Sequence, residues 1–122
     1  MTALAVILVA HQSAAHLPGT LAALQPQLRE GDELLIVDNA SSDSPGGGPV
    51  LRLDENVGFA GGCNAGAAAT SAPLLFFLNP DAVPASRCLD ALRAAADEHA
   101  GWGAWQALVT LPGREEVNTR GG

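Results

Sequence analysis

No lysine occurs in this chain of 122 residues, and its six basic residues, all arginines, face thirteen acidic ones, leaving a net charge of −7. Nucleic-acid binders need a concentrated basic face, so the composition argues against that class. Any phosphate bound here must be met by backbone N–H groups, an occasional arginine or a metal ion. The missing lysine also rules out a P-loop, whose G-x-x-x-x-G-K-[ST] signature requires one. Long apolar runs are absent as well. The longest, Ala3 to Ala10, is far too short to span a bilayer, and with no basic n-region before it a signal peptide is not expected. Cys63 and Cys88 lie far apart and form no C-x-x-C, so they read as reduced, small apolar residues of a cytoplasmic protein. Zinc would need closely spaced ligand pairs, which His11, His16 and His99 do not supply. A G-x-S-x-G elbow is missing, and the segment after the first apolar run, H-Q-S-A-A-H-L-P-G, carries no dinucleotide fingerprint.

What is present reads as one globular domain, 48% hydrophobic and of ordinary domain length. Leu4–Ala10 and Leu74–Leu78 are short apolar runs without alternation, and Glu33–Val37 and Val50–Leu53 read as the second and third strands. Gly103–Leu111 reads as a fifth strand. Such runs indicate strands buried on both faces of a parallel sheet. Between the first two, Leu17, Leu21, Leu24 and Leu28 recur at helical spacing. Ser13 is a candidate cap there, Pro18 is tolerable in the first turn and Pro26 should end the helix near Leu24. A second helix is expected over the alanine-rich run, to about Ser71. Cys88, Leu89, Leu92 and Ala96 mark one face of a third between Ser86 and Glu98. The alternation implies βαβ units with right-handed crossovers.

The densest local signal is Glu55 to Gly66, E-N-V-G-F-A-G-G-C-N-A-G, with four glycines and two asparagines. It reads as a glycine-lined turn opening a helix, a place where free N–H groups can meet an anionic ligand or a nucleotide can approach closely. Tight packing of a helix on a sheet is the alternative. Three polar clusters, His11-Gln12, Asp38-Asn39 and Asn79-Pro80-Asp81, follow strands one, two and four. Ligands of open α/β sheets bind outside those strand ends, although the same residues also cap helices and shape turns. An acidic crevice there suits phosphates that arrive with a divalent cation, since Asp81 can hold a hard metal by oxygen.

Four pieces taken in order resemble one family. They are S-A-x-x-L-x-x-x-L-x-x-L after the first strand, V-D-N-A-S-S-D-S (37–44), N-V-G-F-A-G-G-C-N-A-G (56–66) and F-L-N-P-D-A (77–82). Together they resemble the inverting nucleotide-sugar glycosyltransferases of family 2, and the last two most resemble its rhamnosyl- and galactofuranosyl-transferase branch. The resemblance implies an α/β GT-A fold, with a mainly parallel sheet, helices on both faces and an incomplete C-terminus. Residues 1–122 would be the N-terminal donor-binding part of an enzyme of cell-wall or polysaccharide biosynthesis. It would be cytoplasmic or peripheral at the inner face of the membrane.

By the same resemblance, the backbone around Ala10 and Gln12, with Asp38, would hold the nucleobase and ribose. Asn56, Gly58, Gly61, Gly62 and Asn64 would wall the nucleotide, and Asp81 would ligate Mn²⁺ or Mg²⁺ against the diphosphate of a UDP- or dTDP-sugar. Asp43 would shape its loop. The sequence departs from the family pattern at His11-Gln12, where an aromatic residue and asparagine are usual, and at Asn79, where the first acid of D-x-D is missing. The acceptor-binding half and the catalytic base would lie further along the chain. Glu115 and Glu116 match no family motif, so the base is unassigned. The rival reading is a non-catalytic GT-A-like nucleotide-binding or interaction module, self-associating through an exposed sheet edge. A sugar-nucleotide pyrophosphorylase would need a basic glycine-rich loop at 10–19, and none is there.

Overall fold

The computed structural model describes residues 2–110 and the backbone of 117–119. Its contacts divide the chain into two units, Met1–Ser86 and Arg87–Gly122.

In the first unit, β1 (Leu4–Ala10) is buried along its whole length, as its unbroken apolar sequence requires. It pairs in parallel with β2 (Glu33–Asp38) on one side and β4 (Leu74–Leu78) on the other, and β3 (Val50–Arg52) continues the sheet beyond β2. The order is therefore β3-β2-β1-β4. Strand order reverses at β1, so the switch point of the sheet lies between the carboxyl ends of β1 and β4.

Helix α1 (Leu17–Leu24) buries Leu17, Leu21 and Leu24 and carries Pro18 in its first turn. A 3-10 turn at Gln25–Gln27 ends it where Pro26 cannot continue the helical hydrogen bonding. Ser13 does not act as the side-chain cap, because the helix starts a turn later. Its hydroxyl instead bonds to the backbone of His11, while its carbonyl accepts from His16 and Leu17 N–H.

Helix α2 (Gly58–Ala68) lies on the face of the sheet that carries Ile7, Val9 and Val37. Here the structure corrects the expectation of a glycine-lined turn. Only Gly58 opens the helix with a positive φ, +79°, and Gly61, Gly62 and Gly66 lie inside the helix. A Cβ on Gly62 would come 2.5 Å from Val9 Cγ1, and one on Gly66 2.5 Å from Ile7 Cγ2. These two glycines let the helix backbone settle on branched side chains. On the opposite face Leu4, Val6, Leu8 and Ile36 are equally buried.

In the second unit, α3 (Cys88–Glu98) follows Arg87, a non-glycine residue with φ 69°. Leu89 and Ala96 are buried, and so is Arg93, whose Nη1 donates to Asp90 Oδ1 at 2.8 Å. His99 and Trp102 stack with ring centroids 3.9 Å apart. The fifth strand is much shorter than the Gly103–Leu111 run suggested. Among the described residues only β5 (Val109–Thr110) is extended in a ladder, antiparallel to β6 (Val117–Thr119) in a separate sheet. Leu111 lies outside the described residues. An apolar run becomes a strand only where a neighbour completes its hydrogen bonds, and among the described residues 103–108 joins no ladder.

Both cysteines are free, and burial pushes their thiols up from the ordinary value, as suits packing residues.

Candidate functional site

The three polar clusters gather at the carboxyl edge of the sheet, and hydrogen bonds knit two of them together. Asn39 N–H donates to Ala10 O at 2.8 Å, so the carbonyl that ends β1 is occupied by the chain leaving β2. His11 Nδ1 meets Asn39 O at 2.9 Å. A carbonyl only accepts, so Nδ1 carries the proton. Gln12, held at φ 54°, donates its N–H to Ser41 Oγ, while its Oε1 accepts from Ser42 Oγ and Asp43 N–H. Asp43 Oδ2 returns the tie by accepting from Ala14 N–H at 3.0 Å. This is the loop-shaping role expected of it. Its Oδ1 is buried with no partner among the described residues.

Asp38 is only 2% exposed. Its Oδ1 accepts from Ser41 N–H and its Oδ2 from the Arg52 guanidinium, which also donates to Ser41 O. Burial by itself would raise the Asp38 pKa. The hydrogen bonds to Ser41 and the Arg52 charge outweigh it and hold the carboxyl below its ordinary value. Both oxygens are thus engaged within the protein. Asp38 anchors the loop. Arg52, missed in the sequence, adds to the Ser41 hydrogen bonds that let an aspartate be buried there.

The start of α2 is tied to the same edge. Asn39 Oδ1 accepts from Val57 N–H at 2.9 Å and its Nδ2 donates to Gly58 O at 3.0 Å. Asn56 is exposed, and its Oδ1 accepts from Gly58 N–H. Asn64 is exposed on α2. Gly61 packs on its own turn, where a Cβ would meet Val57 Cγ2 at 2.8 Å. Of the glycines expected to wall a ligand, Gly62 therefore faces the sheet, while Gly58 stands at the open edge.

Asp81 stands apart, in the turn that follows β4. It is exposed, and no described residue bonds its carboxylate. Its turn is held from below by Thr20 of α1, whose fully buried hydroxyl lies 2.8 Å from Pro80 O and 2.7 Å from Ala82 O. One hydroxyl proton serves these two carbonyls in turn or as a shared bond. Thr20 carries no sequence signal beyond its helical position. No group of three metal-ligating side chains occurs among the described residues. An apolar depression of about 360 Å³ between α1 and Gly46-Gly47 includes none of the predicted site residues. Glu115 and Glu116 lie outside the described residues.

The family model described as glycosyl transferase family 2 matches residues 5–110. The chain belongs to that family. No curated protein matches it significantly. Among solved structures it is similar to residues 1–349 of S. aureus TarS, with a TM-score of 0.68 and 22% identity over 82% of this chain and 33% of that one. The same TarS fragment solved with UDP-GlcNAc gives 0.69 at 21% identity, covering 82% and 32%, and that solved with UDP gives 0.70 at 20%, covering 82% and 33%. At these identities the likeness establishes the GT-A fold. The family 2 chain described here spans about a third of the length of those TarS fragments. None of its described helices is long and apolar enough to cross a membrane.

Proposed function

We propose that this family 2 chain is the donor-binding portion of an enzyme that transfers a sugar, with inversion, from a nucleotide-diphosphate sugar to a glycan or related acceptor. The observation that carries this reading is the division of labour at the switch point. On the β1 side, most polar groups of the edge hold the loops in place, with His11, Gln12, Asn56 and Gly58 exposed at the rim. On the β4 side, the Asp81 carboxylate is exposed and uncommitted. A nucleoside fits the first and a diphosphate with its cation fits the second. TarS, solved with UDP and with UDP-GlcNAc, supports this reading by its similarity.

A single carboxylate cannot cage a metal, but Mg²⁺ and Mn²⁺ accept one or two carboxylates together with phosphate oxygens and water. Asp81 suits that role. When bound, the cation would neutralise the charge developing on the nucleoside diphosphate as it leaves. The protein's own part is to fix the turn that carries Asp81, through Thr20, and to hold the nucleoside rim rigid. The general base is left unassigned in this proposal. The rhamnosyl- and galactofuranosyl-transferase branch, and a cytoplasmic place at the inner face of the membrane, are part of the same proposal. The branch rests on the 56–66 and 77–82 motifs, and the location on reading Cys63 and Cys88 as reduced residues.

Isothermal calorimetry with UDP or dTDP and Mn²⁺ tests this reading. Saturable heat that disappears with EDTA is the expected result, and a folded sample giving no heat refutes it. One observation favours the interaction-module alternative. Leu75 and Phe77 are 42% and 41% exposed on β4, which among the described residues pairs only with β1. Concentration-dependent sedimentation would support that reading, and a clean monomer would count against it.

A further inference from the structure

Asn39 ties together three segments at the site. It is 3% exposed. Its backbone N–H and C=O bond Ala10 O and His11 Nδ1 at 2.8 and 2.9 Å, and its carboxamide bonds Val57 N–H and Gly58 O at 2.9 and 3.0 Å. One residue thereby joins the end of β1 to the first residue of α2, the former through its backbone and the latter through its side chain. The backbone around it departs from ordinary geometry. Ala40, the next residue, has φ 59°, Gln12 has φ 54° and Gly58 has φ +79°. For Ala40 and Gln12 the left-handed conformation is costly, and it persists only where surrounding contacts over-determine it.

We propose that Asn39 is a positioning residue for nucleotide binding, its carboxamide setting the Val57–Gly58 turn so that Asn56 is held at the nucleoside rim. The side chain itself is buried and needs no contact with the donor. The chemistry requires an amide, because the pair it satisfies is one N–H and one C=O. Asparagine supplies the matching acceptor and donor without charge. An ionised aspartate would keep the bond from Val57 N–H but set a carboxylate oxygen against Gly58 O. A protonated aspartate would restore the donor. This inference rests on the nucleotide reading above.

The test is calorimetry of UDP with Mn²⁺ on wild type, Asn39→Asp and Asn56→Ala, with thermal melts alongside. At pH 7.5 Asn39→Asp should bind about 10-fold more weakly or worse. Against wild type at each pH, that deficit should shrink as the solution is acidified and the new carboxyl takes up its proton. His11, Asp38, Asp43 and Arg52 lie around the same loops in both proteins, so each pH is read as a ratio to wild type. If Asn39 acts through the turn, combining it with Asn56→Ala should cost little more than the worse single change. Should Asn39→Asp fail to fold, Asn39→Ser takes its place in the combined measurement and should show the same non-additivity. Unchanged affinity in a folded variant, a deficit that acid does not relieve, or full additivity would overturn the proposal. Absence of binding by wild type would instead refute the nucleotide reading, and this inference with it.

Discussion

A Cβ placed on Gly66 would lie 2.5 Å from Ile7 Cγ2, a methyl attached directly to a branched Cβ in the middle of β1 and unable to swing aside. Helix α2 therefore meets the sheet at a distance that only glycine permits. Gly66→Ala should destabilise the protein by about 1–3 kcal/mol through overpacking, even though alanine is the better helix former by about 1 kcal/mol. Gly62→Ala, aimed at Val9, should behave alike. Gly19→Ala in α1, with nothing within 4 Å of the added methyl, should stabilise by up to about 1 kcal/mol. Urea unfolding of the three variants checks the contrast.

Removing Arg52 should expose how Asp38 is tolerated. Arg52→Met leaves a buried carboxylate with only the Ser41 side of its support and should cost about 1–3 kcal/mol at neutral pH. The Asp38 pKa is lowered in the folded protein. Its contribution is therefore present above the unfolded aspartate value of about 3.9 and is lost as pH falls through the folded value. The difference between wild type and Arg52→Met should accordingly narrow below about pH 4. Denaturation midpoints measured from pH 7 to pH 3 would show it.

Two positive-φ positions should respond oppositely to exchange of glycine and alanine. Gly58→Ala puts a Cβ on a backbone at φ +79° and should destabilise by about 1–2 kcal/mol. Ala40→Gly relieves the same strain at φ 59°. Part of that gain is offset by the freer unfolded chain, so it should be neutral or stabilise by at most about 1 kcal/mol. Thermal melts of both variants decide the matter.

Thr20→Val keeps the shape of the side chain and removes the hydroxyl that meets Pro80 O and Ala82 O. It should cost about 1–3 kcal/mol, because the hydroxyl is fully buried. It should also weaken metal-dependent nucleotide binding, by letting the turn that carries Asp81 move. Calorimetry and melting read the two effects separately.

Asp81→Asn should do the reverse. The residue is exposed and bonded to no described residue, so stability should stay within about 0.5 kcal/mol. The Mn²⁺-dependent part of UDP affinity should fall about 10-fold or more, since a charged contact to the cation is lost. A titration with and without EDTA checks this.

The sequence by itself determined much of this protein. Unbroken apolar runs fall on β1 and β4 to the residue. In β1 that is because a strand buried on both faces has no polar position to spare, whereas β4 leaves Leu75 and Phe77 exposed on one face. Pro26 marks the end of α1 by removing a donor and clashing with the preceding turn. The four motifs, in their order, identify the family without any structure. Local chemistry suffices for such features, since each is set by neighbours a few residues away.

Only the tertiary structure decided what the motif residues do. A glycine in a sequence can serve a turn, a ligand or a packed face. What selects packing for Gly62 and Gly66 is the presence of Val9 and Ile7 opposite them, some fifty to sixty residues earlier in the chain. Asp38 read as a residue of the donor site, and only the fold shows Arg52 and Ser41 engaging its two oxygens. Asn39 read as half of a polar pair, and its tie to Val57 and Gly58 spans eighteen and nineteen residues. The physical reason is the same in each case. Burial and hydrogen-bond partnership are properties of what the fold brings together, and residue type states only what each group could accept or donate.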